Sequence, residues 1–168
     1  MAIENVRAYF RSHGLESRVL EFAVSSATVE LAAEAVGTSP SRIAKTLSFL
    51  IGDGAILIVT AGDAKIDNQK YKSRFGCKAK MLTPEQVETL VGHAVGGVCP
   101  FAVNAGVTIY LDQSLRRFDT VYPACGSANS AIGLTLDELE THAGPAGWID
   151  VCKNWDGAPA AAPTTAPT

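Results

Sequence analysis

The sequence predicts an α+β fold: a mixed, mostly antiparallel β-sheet core flanked by short helices. Residues 46–51 and 55–61 are apolar and rich in β-formers, and the intervening Gly52-Asp53-Gly54 offers the positive backbone angles of a tight hairpin. Helix-capping signals fall irregularly between the strand patterns, unlike a regular array of strand, helix and parallel strand. Of 168 residues, 47% are hydrophobic and 18% charged, enough apolar material for one ordinary core without metal or disulfide staples.

The elements follow in order. Ile3, Val6 and Phe10 have the period of an amphipathic helix, which His13-Gly14 stops. Residues 18–22 alternate like a strand. Ser25-Ser26 offers hydroxyls to cap a second helix running through Leu31 and Val36 to Gly37. Ser39-Pro40 repeats the start signal, so a short helix is expected to carry Ile43, Ala44 and Lys45 ahead of the hairpin. Residues 67–75 read as a basic, exposed helix, and Thr83-Pro84-Glu85-Gln86 opens another through Val91. Strands are expected at 107–111, 120–124, 131–134 and 148–151, with a helix over 136–142 started by a Thr135/Glu138 capping box. Residues 1–155 are expected to form a single domain. From Gly157 the chain holds only Gly, Ala, Pro and Thr, so 156–168 is expected to be a flexible tail.

Bulk properties narrow the function. The formal net charge of -3 gives no general grip on a polyanion, so any nucleic-acid contact must be local. Apolar stretches are far shorter than the roughly 20 residues of a membrane span, and the start lacks the basic and apolar regions of a secretory signal. A cytoplasmic protein is expected. Cys77, Cys99, Cys125 and Cys152 are scattered, with no C-x-x-C spacing, so neither a metal site nor a cofactor is indicated.

Three places can carry chemistry. Lys45 precedes a central strand, where its ammonium can hold a phosphate or a carbonyl oxygen; the plainer alternative is an exposed lysine at a helix end. In Gly96-Gly97-Val98-Cys99-Pro100 the glycines allow close backbone approach and the proline stiffens the loop, so main-chain amides can face a developing oxyanion; alternatively the loop is a mere turn. Gly126, Ser127 and Asn129 lie in a run of small and polar residues that can either shape a small pocket or form an ordinary turn. A Cys99/His93 hydrolase pair and a carboxylate cluster of Asp63, Asp67 and Asp112 are weaker candidates.

In their order these segments resemble the YbaK/EbsC family, which includes freestanding tRNA-Pro deacylases and the editing domain inserted in bacterial prolyl-tRNA synthetases. The landmarks are Arg42-Ile43-Ala44-Lys45-Thr46-Leu47, the 50–60 hairpin, Gly96 to Pro100 and Gly126-Ser127, spread over residues 1–152. The resemblance implies a partly barrel-like sheet and hydrolysis of the ester of a mischarged tRNA carrying a small amino acid of the cysteine, alanine, serine or threonine class. No metal or protein nucleophile is implied; a water attacks, helped by the substrate's ribose hydroxyl. Lys45 matches the essential lysine, Gly96 to Pro100 the loop of catalytic amides, and Thr46, Gly126, Ser127 and Asn129 the substrate pocket. Thr46 stands where alanine-specific relatives tend to carry asparagine.

The expected partners are the aminoacylated end of tRNA and prolyl-tRNA synthetase, with no membrane or metal. Lys70, Lys72 and Arg74 in the one locally basic stretch are candidate tRNA contacts, or else an ordinary solvated helix face. Two other functions remain open: a noncatalytic module that binds tRNA ends or aminoacyl nucleotides, and a small-molecule hydrolase with Cys99 as nucleophile.

Overall fold

The computed structural model describes residues 2–155. The expected tail at 156–168 lies outside the described residues.

The chain opens with α1 (Ala2–Arg11), whose Val6 and Phe10 are completely buried, and reaches β1 (Val19–Glu21) through a 3-10 turn at Glu16–Arg18. The second helix, α2 (Val29–Val36), starts later than its serines suggest. Thr28 is the cap, its hydroxyl accepting from Leu31 N at 3.1 Å. Ser25 and Ser26 are drawn away to the Ala128 carbonyl, which also accepts from the Ser26 amide at 2.6 Å.

Ser39-Pro40 nucleates only one 3-10 turn, Pro40–Arg42. Ile43, Ala44 and Lys45 are therefore not helical, as expected from the cap signal, but begin β2 (Ile43–Ile51). Pairing on both sides overrides the local signal: β2 runs antiparallel to β3 (Gly54–Ala61) from Ala44↔Ala61 to Ile51↔Gly54, and parallel to β6 (Thr120–Pro123) at Ile43↔Tyr122 and Ala44↔Pro123. Gly52, at φ +61, makes the two-residue turn of the hairpin.

β4 (Lys65–Ile66) leads into α3 (Asn68–Phe75), where Asp67 caps the amides of Gln69 and Lys70. The Thr83/Gln86 capping box starts α4 (Pro84–Gln86), which relaxes into a π turn over Val87–Val91. After β5 (Thr108–Asp112) and β6, the strand expected at 131–134 divides at Gly133. β7 (Ser130–Ile132) pairs with β1, and β8 (Leu134–Thr135) pairs with β6. A side chain at Gly133 would come within 2.9 Å of the Tyr122 ring, so the glycine admits the crossing. α5 (Leu136–Ala143) carries the expected Thr135/Glu138 capping box. The strand expected at 148–151 becomes β9 (Gly147–Ile149), and β10 (Cys152–Lys153) pairs with β4 instead.

The main sheet has the order β8-β6-β2-β3-β5-β9 and curls into a half-barrel. Its pairs β2/β6, β3/β5 and β5/β9 are parallel, while β2/β3, β6/β8, β1/β7 and β4/β10 are antiparallel. The mixed sheet agrees with the expected class, with more parallel pairing at its centre than the hairpin pattern implies. Leu57, Ile58 and Val59 of β3 are fully buried in the core, with Leu111, Leu134 and Leu139.

Candidate functional site

This fold positions a cavity of about 520 Å³ at an interruption in the sheet. β6 pairs with β2 no further than Ala44. Beyond, the chain at 80–82 takes over as neighbour, with Leu82 N donating to Ser48 O at 3.2 Å and Leu50 N to Lys80 O at 2.8 Å. Between them the outer edge of β2 at residues 45–47 has no partner strand among the described residues. Main-chain groups of alternate residues face alternate edges of a strand. Those of Thr46, in phase with Ser48 and Leu50, face this gap.

Segments 26–29, 44–48, 81–87 and 95–98, with Ala124, line the cavity. Lys45 is its one charged lining residue among the described residues; Ser26, Thr28, Thr46 and Ser48 supply hydroxyls, and most of the rest is apolar. Lys45 Nζ lies 3.4 Å from the Gly62 carbonyl and is half-buried. Burial lowers its pKa from the ordinary lysine value, with Cys152 and Asp63 pulling the other way. Thr46 Oγ1 is buried and has no hydrogen-bond partner in the protein.

Close glycine packing builds the far wall. A Cβ on Gly97 would sit 2.5 Å from Ser127 N and 2.6 Å from the Gly126 carbonyl carbon, so the 96–100 loop lies directly on the 126–130 loop. Gly96, at φ +95, abuts Ala27 and Ala128, and Gly126, also at φ +95, abuts the start of α1. The Gly97 amide donates to Ala94 O at 3.0 Å, whereas the amides of Val98 and Cys99 have no acceptor among the described residues. Among the loop amides expected to face an oxyanion, that of Gly97 is therefore spent on its own turn.

Residues 24–141 match the aminoacyl-tRNA editing domain family. The chain belongs to that family. It is 55% identical over 157 residues to the uncharacterized protein YwhH of Bacillus subtilis (strain 168), covering 93% of this chain and all of that one. It is 28% identical over 101 residues to the proline–tRNA ligase of Geobacillus sp. (strain WCH70), covering 60% of this chain but only 18% of the ligase. A solved structure described as a candidate trans-editing enzyme for prolyl tRNA synthetase superposes with TM-score 0.81 at 30% identity, over 90% of this chain and 97% of the other.

Within this editing-domain fold the sequence candidates separate. Lys45, Thr46, Gly96 and Val98 line the cavity. Gly126, Ser127 and Asn129 stand behind it: Ser127 Oγ donates to Asn129 Oδ1 at 2.9 Å, and Asn129 Nδ2 donates to Phe22 O at 3.0 Å, tying the loop to the segment after β1. Cys99 is fully buried, 3.5 Å from His93 Nε2, and burial pushes its thiol up to about 12. The imidazole donates through Nε2 to Phe101 O at 2.8 Å, and its pKa is lowered by burial, so the pair lacks the cationic partner that makes a thiolate. Asp63, Asp67 and Asp112 are separately engaged, with Arg117, the α3 amides, and the amides of Ser114 and Val151. On α3, Lys70 reaches Asp150 (3.1 Å) and Cys152 O (2.9 Å), while Arg74 lies over Phe75 and Tyr110.

Sequence reading missed the mouth of the cavity. Met81 is 57% exposed and Val95 62% exposed. An apolar residue left in water has no signature in periodicity. No helix of the described residues is long and apolar enough to cross a membrane.

Proposed function

We propose that this protein is a deacylase that hydrolyses the ester joining a small amino acid, of the cysteine, alanine, serine or threonine class, to a mischarged tRNA-Pro. The observation that carries this reading is the composition of the cavity wall: one cation, several hydroxyls, and no carboxylate, imidazole or thiol among the described lining residues. Such a wall is suited to holding an ester and stabilising the charge of its transition state rather than to attacking it. Lys45 anchors the phosphate or carbonyl end, and desolvation strengthens its field at the reacting carbonyl. The unpaired amides of Val98 and Cys99 hold the oxyanion, Pro100 stiffens their loop, and water attacks with help from the neighbouring ribose hydroxyl. Gly96 and Gly97 admit the close loop packing, and Gly126, Ser127 and Asn129 fix the wall behind it. Kinship with a segment of proline–tRNA ligases supports tRNA-Pro as substrate and the synthetase as partner. Lys72 and Arg74 face the acceptor stem, with Lys70 shared between that face and Asp150.

The reading is tested by incubating the purified protein with tRNA-Pro charged with cysteine, alanine, serine, threonine or proline. Release of at least one small mischarged amino acid, with prolyl-tRNA spared, is the expected result. Failure to cleave any of them contradicts it.

A further inference from the structure

We propose that Arg117 is a positioning residue for Lys45: by holding both carboxylate oxygens of Asp63 it keeps that carboxylate from capturing the lysine. This rests on the deacylase reading above, in which Lys45 has to stay both charged and open to the ester. The Lys45 ammonium donates to Gly62 O at 3.4 Å and makes no ion pair among the described residues. It rests on the Gly62-Asp63 turn that follows β3. On one side this turn is pressed against the Pro40–Arg42 3-10 turn, since a Cβ on Gly62 would stand 2.0 Å from Pro40 O. On the other, Ser114 Oγ in a 3-10 turn at Gln113–Arg117 accepts from Ala61 N at 3.1 Å. These two anchors hold the turn with or without Arg117, which leaves the guanidinium a different task.

Arg117 Nη1 and Nη2 donate to Asp63 Oδ2 and Oδ1 at 3.0 and 2.5 Å, a fork that occupies both oxygens and neutralises the charge. The arginine is itself fixed: Nε donates to Ser114 O at 3.0 Å, and the guanidinium lies over the rings of Phe118 and Trp155. Few groups act on the charge of Lys45. Burial lowers its pKa most; Cys152, Asp63 and Glu30 oppose this, and Lys65 adds to it. Burial also keeps Cys152 a thiol. Asp63 and Glu30 are the carboxylates of the set, and Asp63 follows directly on Gly62, whose carbonyl already holds the ammonium. Freed from Arg117, this partly buried carboxylate would pair with the desolvated ammonium, because opposite charges attract more strongly there than in water. The lysine would stay charged but would turn from the ester to its own counter-ion.

The test measures kcat on the mischarged tRNA-Pro that the wild type cleaves best, in Arg117→Met, Asp63→Asn and the double variant, and follows the Lys45 Cε resonance of each as pH is raised. Methionine keeps an apolar stem against Phe118 and Trp155 but removes the fork. Arg117→Met should lower kcat by roughly 10- to 100-fold, the scale of a misplaced catalytic group, and should raise the titration midpoint of Lys45. Adding Asp63→Asn should bring kcat back to within a few-fold of wild type and lower the midpoint again. If Arg117 only braces the turn, the double variant stays as slow as Arg117→Met; that result, or a midpoint that does not rise in Arg117→Met, overturns the assignment and leaves the deacylase reading standing. If Arg117→Met does not fold, Asp63→Asn decides: it keeps a hydrogen bond to the guanidinium but not the charge, so the Lys45 midpoint should fall, and an unmoved midpoint overturns the assignment. No hydrolysis by the wild type overturns the deacylase reading, and the Lys45 midpoints, which need no substrate, then decide the role of Arg117 by themselves.

Discussion

Gly97 has no room for a side chain, because its Cβ would stand 2.5 Å from the amide nitrogen of Ser127. Backbone cannot rotate aside as a side chain can, so Gly97→Ala must push two loops apart. It should cost roughly 1–3 kcal/mol by urea unfolding and lower activity beyond that, since the amides of Val98 and Cys99 ride on the same loop. The thiols show the converse, a residue whose environment removes its chemistry. Cys99, Cys125 and Cys152 are buried while Cys77 is partly exposed. Titration of the native protein with a thiol reagent should therefore modify Cys77 rapidly and the other three only on unfolding; rapid native labelling of Cys99 would revive the nucleophile reading. Much of the site was legible at this scale: Lys45, Thr46 and the Gly96-Gly97 pair line the cavity or build its wall. Ser127 and Asn129 were legible as polar loop residues, but no spacing rule tells that they satisfy each other instead of a ligand.

Elements place those residues, and their ends carry measurable stability. Thr28 caps α2 beside the cavity, so Thr28→Ala should cost about 1 kcal/mol in thermal or urea unfolding and loosen one wall. At the other end of the fold, the Arg18 guanidinium, with the Thr135 amide, holds the Glu138 carboxyl down at about 2. Its unfolded value is about 4.3. The folded state thus binds the proton less readily, and this contribution is complete above the unfolded value and lost as pH falls from there towards 2. Both side chains are partly exposed, so the contribution is modest, roughly 0.5–1 kcal/mol. Glu138→Gln keeps the capping geometry and removes the charge. Its melting temperature should lie below wild type at neutral pH and converge with it near pH 2; a constant gap would contradict the ion-pair account. Capping boxes and the hairpin turn were readable from local chemistry. The start of β2 was not, because a proline start signal at Pro40 competes with partners at Tyr122 and Ala61 that lie far away in sequence.

Over the whole molecule, the α+β class follows from strand and cap patterns, but the sheet order does not. The parallel pairs β2/β6 and β3/β5 join segments separated by dozens of residues, and strand alternation carries no record of which strand lies beside which. The cavity depends on that order, since it opens where β6 stops and residues 80–82 take over along β2. No single segment encodes it. The central claim is that ester hydrolysis happens in this gap, beside Lys45. Its most direct test is the single-turnover rate of deacylation of the mischarged tRNA-Pro that the wild type cleaves best, compared with Lys45→Ala at equal folded concentration. A loss of roughly 10²- to 10³-fold, the scale of removing one preorganised electrostatic group, is predicted. A rate within a few-fold of wild type would place the chemistry elsewhere.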